Sequence, residues 1–121
     1  MKSFRNLEGY LMKKDTKLLY FKFHRGALEK IEVYEQPPLL EFKMLSPSEA
    51  IHLTLDDRVT PETRIGLSKD LERVGIPYYD VQLILEYTHG FNILDDYWIK
   101  FPGETLDWTT LCEQKDCLWK I

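Results

Sequence analysis

The chain has 121 residues and a formal net charge of −4, and these values already exclude several classes of protein. Compact domains most often span about 100–150 residues, so a single domain is expected over residues 1–121. A hydrophobic content of 44% suffices for a core and excludes a highly charged disordered segment. No apolar run reaches the roughly 18 residues of a membrane helix, and residues 1–8 lack the apolar region of a signal peptide. We therefore expect a cytoplasmic protein.

The charge is distributed unevenly along the chain. Residues 1–30 contain eight Lys or Arg and three Asp or Glu, a balance of +5. The remaining residues contain eight basic and seventeen acidic side chains, a balance of −9. A basic segment is typical of nucleic-acid binding, but a strand that alternates lysine with apolar residues more often forms a solvated sheet edge.

Strands are expected first, at residues 9–13, 17–23 and 28–34. The third run alternates charged with apolar residues from 30 to 33, which is the period of a strand with one buried face. Turn-like breaks separate the runs, and Gly26 in the second break can adopt a positive φ at no steric cost. Residues 9–35 are therefore predicted to form a three-stranded antiparallel meander. Two prolines end it, and an extended segment is expected over residues 39–45.

Helical patterns follow the meander. Residues 46–49 form a capping box with proline at the first helical position, which predicts a helix to about Asp57. A second helix is predicted over residues 61–74, because three apolar residues share one face and Gly75 can end it.

A third helix is predicted with Asp80 as its N-cap and an end at residues 89–90. An aromatic-rich stretch over residues 91–101 follows without an assigned element, and a last short helix is predicted within residues 105–118. Residues 46–118 thus form a helical half. The predicted fold class is α+β, an N-terminal three-stranded antiparallel meander followed by three to four helices.

Metal-binding and catalytic patterns are weak. Cys112 and Cys117 are separated by four residues, and no second pair stands at zinc-ligand spacing, so reduced thiols and no metal site are expected. Adjacent carboxylates such as Asp95 and Asp96 point about 100° apart on a helix and do not converge on one ion. The glycines are scattered and form no phosphate loop, so no cofactor is predicted. A small enzyme that uses His89 or Cys112 is kept as a third hypothesis.

A nucleic-acid-binding regulator is the alternative function. It would use the basic N-terminal face and the 61–74 helix, which follows another helix across a short turn. That helix carries as many acids as basic residues, which favours ion pairs on an exposed face over phosphate contacts. The aromatic residues of the strands suit either a platform for stacked bases or the core face of the sheet: Tyr10, Tyr20, Phe21, Phe23 and Tyr34.

Several motifs between residues 9 and 110 form a recognisable set. They are Tyr10-Leu11-Met12-Lys13-Lys14-Asp15, Arg58 with Pro61, Arg64, Gly66, Leu71 and Glu72, then Asp95-Asp96-Tyr97-Trp98-Ile99-Lys100, and finally Leu106 with Trp108. In these motifs the chain resembles the N-terminal portion of bacterial HipA-like serine/threonine kinase proteins of Firmicutes. The ATP-binding and catalytic residues of that family lie downstream of this portion. The resemblance therefore implies no catalytic residue here, and a stand-alone regulatory or docking module.

We accordingly expect a non-enzymatic module that docks on a partner protein. A HipA-like kinase is the expected partner, in a toxin–antitoxin or phage-associated setting. Contacts are expected at the meander edge, through strand addition or basic side chains, and at the aromatic stretch. Tyr97 and Trp98 are equally suited to anchor the core. The predicted contact residues are Lys13, Lys17, Lys22, Arg25, Tyr97 and Trp98.

Overall fold

A four-stranded antiparallel sheet organises the protein. The computed structural model describes residues 5–92 and 95–114. Its strands are β1 (Leu7–Lys13), β2 (Thr16–His24), β3 (Ala27–Val33) and β4 (Tyr97–Lys100), in the spatial order β3-β2-β1-β4. The predicted meander is confirmed, and so is the α+β fold class. The aromatic-rich stretch supplies the fourth strand, which pairs with β1.

The β2–β3 hairpin shows why the meander forms locally. His24 faces Ala27 across a two-residue turn, in which Arg25 has φ 52° and Gly26 has φ 84°. Positive φ at both central positions gives a turn whose twist matches the right-handed twist of the strands. The predicted break at this position is therefore a tight hairpin turn.

In the described part of the chain, five helices accompany the sheet: α1 (Leu40–Met44), α2 (Pro47–Asp57), α3 (Leu67–Arg73), α4 (Val81–Thr88) and α5 (Trp108–Glu113). The two predicted N-caps are confirmed. The Ser46 hydroxyl accepts a hydrogen bond from the Glu49 N–H, and the Asp80 carboxylate accepts one from the Leu83 N–H. None of the described helices is long and apolar enough to cross a membrane.

The prediction of an extended segment over residues 39–45 is wrong, because most of these residues form α1. The Phe42 N–H donates to the Leu39 carbonyl at 3.1 Å, and the Leu45 N–H donates to the Glu41 carbonyl at 2.9 Å. Leu39, Phe42 and Leu45 recur every three residues and all pack on the core. In a helical turn, side chains three residues apart lie on the same side and can all be buried. In a strand, Phe42 would point to the opposite face from Leu39 and Leu45.

The prediction of a helix over residues 61–74 is only half correct. Helix α3 begins at Leu67, since Gly66 before it adopts a left-handed φ of 79°. Residues 61–66 instead form tight turns, in which the Arg64 N–H donates to the Pro61 carbonyl at 3.1 Å. The predicted end is confirmed, with Gly75 at φ 83°.

The last helix also begins later than residue 105. Asp107 caps α5, and its carboxylate accepts a hydrogen bond from the Thr110 N–H at 2.8 Å. The remainder of the predicted helix, beyond residue 114, lies outside the described residues, and so does Cys117.

Apolar side chains cover both faces of the sheet, but to different extents. The main core lies on one face, where Leu11, Leu19 and Phe21 are fully buried beneath the helices. A smaller cluster lies on the other face at the β1–β4 end, and it joins Met12 and Trp98 to Leu111 of α5. The other half of that second face, over β2 and β3, carries the side chains described next.

Candidate interaction face

Eight side chains form a mixed aromatic and charged surface on the outer face of the meander, which we call the tyrosine face. Strand alternation puts them there, because Phe21 and Phe23 turn to the core and their neighbours turn outward. The strand register then aligns Tyr10 with Tyr20, and Tyr20 with Glu32. The tyrosine face consists of Glu8, Tyr10, Lys17, Tyr20, Lys22, Lys30, Glu32 and Tyr34.

Ring contacts organise the tyrosine face. The Tyr10 and Tyr20 rings are tilted against each other with centroids 5.4 Å apart. The Lys17 ammonium lies 4.2 Å from the centroid of the Tyr10 ring, and the Lys30 ammonium lies 5.8 Å from that of Tyr20. These are cation–π distances, so the lysine stems are held over the rings.

The tyrosine hydroxyls are bonded to carboxylates. The Tyr20 hydroxyl donates to the Glu8 carboxylate, and this bond raises the pKa of Tyr20 to about 12. The Tyr34 hydroxyl donates to the Glu32 carboxylate at 3.3 Å. Partial burial, followed by the nearby Glu32 charge, raises the pKa of Tyr34 as well. Both rings therefore remain neutral hydrogen-bonding groups at physiological pH.

Two of the three lysines of the tyrosine face have acidic neighbours. Lys22 lies 3.6 Å from the Glu29 carboxylate, and Lys30 lies 3.2 Å from the Glu32 carboxylate. Glu8 adds a further negative charge beside Tyr20. The face is thus close to neutral, although it belongs to the most basic part of the sequence.

The structure separates the predicted contact residues into two groups. Lys17 and Lys22 lie on the tyrosine face, Lys13 is exposed at the end of β1, and Arg25 is exposed in the β2–β3 turn. Tyr97 is only 8% exposed, and Trp98 is fully buried.

The Trp98 indole N–H donates to the Lys14 carbonyl at 2.7 Å. Tyr97 belongs to the main core. Both aromatic side chains therefore occupy the core positions that the alternative interpretation assigned to them.

Six members of the tyrosine face were absent from the predicted contact residues, namely Glu8, Tyr10, Tyr20, Lys30, Glu32 and Tyr34. Their signal was present in the sequence, since each stands at an outward position of an alternating strand or, for Tyr34, directly after one. The strand pairing, however, had to be known before these side chains could be assigned to one surface.

The two arginines of segment 61–74 are engaged with an acid of the same segment. Arg64 and Arg73 lie 2.5 and 3.3 Å from the two oxygens of Asp70. A groove of about 730 Å³ runs beside α3, and its lining includes Leu71 and the exposed Tyr78. The pairing of Asp70 makes this segment a poor phosphate-binding surface.

His89, one of the two residues of the enzyme hypothesis, is paired with a carboxylate. The His89 Nε2 atom lies 2.8 Å from the Glu104 carboxylate, whose other oxygen accepts a hydrogen bond from the Phe101 N–H. Among residues 5–92 and 95–114, no group of three or more His, Cys, Asp or Glu side chains is arranged to hold a metal ion.

Two motif residues, Asp95 and Tyr97, contact the buried side chain of Arg58, which is itself a motif residue. Arg58 donates to both Asp95 oxygens, at 3.0 and 2.7 Å, and its side chain is only 7% exposed. It also donates to the Gly90 carbonyl at 2.5 Å and to the Tyr97 carbonyl at 2.8 Å. Arg58 thereby joins the end of α2 to the segment that enters β4.

A second set of motif residues closes the same end of the sheet. The Lys14 N–H donates to the Asp96 carbonyl at 2.9 Å, and the Asp15 carboxylate accepts from the Trp108 N–H at 2.9 Å. Together with the Trp98–Lys14 bond, these contacts tie the β1–β2 turn to β4 and α5. The motifs have structural roles that account for these residue types without a ligand.

Comparison with known proteins returns no match: no protein-family model, no curated protein and no solved structure is similar to the chain. The resemblance to HipA-like kinase proteins therefore rests on the sequence motifs alone.

Proposed function

We propose that this chain is a non-enzymatic protein-interaction module that docks on a partner protein through the tyrosine face. The observation that carries the proposal is the presence of three tyrosines on one sheet surface, of which Tyr34 is 54% exposed and Tyr10 and Tyr20 are half-buried. Tyrosine is enriched at protein interfaces because a rigid ring and a hydroxyl provide contact area and hydrogen bonding at low entropic cost.

The charges of the tyrosine face favour a protein partner over a nucleic acid. Phosphate binding needs basic side chains whose charge is available to the ligand. Here Lys22 and Lys30 have acidic neighbours within 4 Å, and Glu8 and Glu32 would repel phosphates. A protein surface with mixed polar groups can pair with such alternating charges.

We further propose a HipA-like kinase as the partner, in a toxin–antitoxin or phage-associated setting. The support is the resemblance of the motifs to the portion that precedes the kinase lobes in that family. Arg58, Asp95 and Trp98 have structural roles in this chain, so the resemblance concerns the scaffold that presents the face. The docking residues themselves are proposed from the geometry of the face.

The test is affinity purification from the native host with three versions of the tagged protein, namely wild type, Tyr34→Ala and Tyr78→Ala. Tyr78 is a matched control, because it is 61% exposed but lies beside α3. The recovered partner is then purified and titrated against each version. We expect Tyr34→Ala to weaken binding by at least about tenfold, the effect of removing an aromatic anchor, and Tyr78→Ala to leave it unchanged.

Two outcomes would reject this function. One is a partner that binds wild type and Tyr34→Ala equally well, which would place docking elsewhere. The other is recovery of nucleic acid at low salt that is lost at moderate salt, which would support the regulator that binds nucleic acid.

A further inference from the structure

The two edges of the sheet differ in how their backbone groups are used. At the β4 edge, the Ile99 N–H donates to the His89 carbonyl at 2.7 Å. The Tyr97 carbonyl of the same strand accepts from Arg58 at 2.8 Å. The loop after α4 and a buried side chain therefore occupy the β4 edge.

The β3 edge is the opposite case. Alternate residues of an edge strand direct their N–H and C=O groups away from the neighbouring strand. Within the described part of the chain, β3 forms backbone bonds to β2 and none to any other element. An edge of this kind can accept another strand.

We propose that β3 pairs with β3 of a second copy of this chain, antiparallel and about a two-fold axis at Ile31. Two-fold symmetry requires that a contact from one copy be repeated by the other. With the axis at Ile31, Lys30 of each copy faces Glu32 of the other. Within each copy these two side chains already lie 3.2 Å apart. The dimer would therefore bring two lysines and two glutamates together, with opposite charges as nearest neighbours.

Charge selects this register over its neighbours. An axis at Lys30 would place two ammonium groups opposite each other, and an axis at Glu32 would do the same with two carboxylates. A one-residue slip would set the apolar face of one strand beside the charged face of the other. The register irregularity in β3 lies before Lys30, so residues 30–33 form the regular stretch for pairing.

The dimer would extend the surface assigned above but does not depend on that assignment. Pairing at β3 would join two four-stranded sheets into one of eight strands, with both tyrosine faces on the same side. Because dimerisation needs no other protein, its measurement tests this inference separately from partner docking.

The experiment is analytical ultracentrifugation of the purified full chain over a concentration series. Lys30→Glu and Glu32→Lys each replace two attractive pairs by two repulsive ones, so each is expected to raise the dimer dissociation constant by about tenfold or more. The double variant Lys30→Glu/Glu32→Lys restores opposite charges and is expected to return the constant to within about threefold of wild type.

Lys69→Glu and Glu72→Lys are matched controls, since they make the same charge changes on exposed positions of α3. They are expected to leave dimerisation unchanged. Circular dichroism checks that every variant is folded. A wild-type chain that stays monomeric up to about 1 mM overturns the proposal, because a dimer with a larger dissociation constant is too weak to be a specific assembly. Single variants that dimerise like wild type, or a double variant that fails to recover, also overturn it.

Discussion

Arg58 shows how one side chain can hold several segments together. A guanidinium has five donors in a rigid fork, and here it meets a bidentate carboxylate and two backbone carbonyls. Its side chain is almost fully buried, whereas that of Asp95 remains one-third exposed. Breaking such a pair is costly, because the remaining partners lose their hydrogen bonds without regaining full hydration.

We predict that Arg58→Leu lowers the free energy of unfolding by about 3–5 kcal/mol. Arg58→Lys should also destabilise the fold, because an ammonium cannot reproduce the fork geometry. Arg73→Ala is the control, since its ion pair with Asp70 is 55% exposed on the arginine side and is expected to contribute less than about 1 kcal/mol. Urea denaturation measures all three, and an Arg58→Leu change as small as that of Arg73→Ala would contradict the role of Arg58.

The local sequence pattern also predicts to which face of a strand a single side chain points. The alternation in β2 assigns Phe21 and Phe23 to one face and Tyr20 and Lys22 to the other without knowledge of the fold. Which of these faces the helices cover is a separate question. Hydrophobicity favours the phenylalanine face, and the structure agrees.

At the scale of elements, the sequence signals for helix starts and ends were reliable where a side chain forms a hydrogen bond with the backbone of the same helical turn. The caps at Ser46 and Asp80 lie at their predicted positions. The exception is α3, where the Pro61 start signal was followed by Gly66 in a left-handed conformation. A glycine inside a helical pattern costs up to about 1 kcal/mol relative to alanine, and here tight turns replaced the first half of the helix.

We predict that Ser46→Ala destabilises the protein by about 1 kcal/mol, because the Glu49 N–H loses its acceptor at the start of α2. Ser48→Ala in the same helix is the matched control and should be neutral or slightly stabilising, since alanine has the higher helix propensity. Thermal and urea unfolding compare the two variants. Equal effects of both substitutions would show that Ser46 does not act as a cap.

Strand β4 illustrates an element without a sufficient local signal. It has four residues, and its stretch combines aromatic and apolar residues without clear alternation. Its conformation depends on β1, with which Leu11 pairs Ile99 and Met12 pairs Trp98. A strand this short is stable only when its partner and both adjacent apolar layers are present.

At the scale of the whole molecule, contacts between distant parts of the chain connect the sheet to the helical layer. Arg5 lies 2.7 Å from Asp80, and the Arg5 N–H donates to the Gln82 amide oxygen at 2.8 Å. Burial of Asp80 acts to raise its pKa, but the bonds from Arg5 and the Leu83 N–H outweigh this effect and lower it. Asp80 therefore links the entry of β1 to the start of α4.

The lowered pKa of Asp80 predicts a specific loss of stability in acid. Because the folded-state pKa lies below the unfolded value of 3.8, the stabilisation is present above that value and disappears as the pH falls through the folded pKa. Asp80→Asn keeps an N-cap acceptor but removes the charge. The difference in unfolding free energy between wild type and Asp80→Asn should shrink as the pH is lowered from about 6 to about 2.

Arg5→Gln provides the second arm of this test. It removes the guanidinium and leaves the burial of Asp80 without its main compensation, so the same pH dependence should weaken. Urea denaturation at several pH values measures the effect. A constant difference between wild type and Asp80→Asn across this range would show that the carboxylate has an ordinary pKa.

The meander, the caps and the ends of most helices were determined by the sequence itself. Alternation, capping and turn preferences are satisfied between residues a few positions apart, so they act before the chain is folded. The fourth strand, the smaller apolar cluster on the second face of the sheet and the Arg58–Asp95 pair were decided only by the tertiary structure. These features join residues tens of positions apart, and their stability comes from burial and desolvation, which exist only once both partners are brought together.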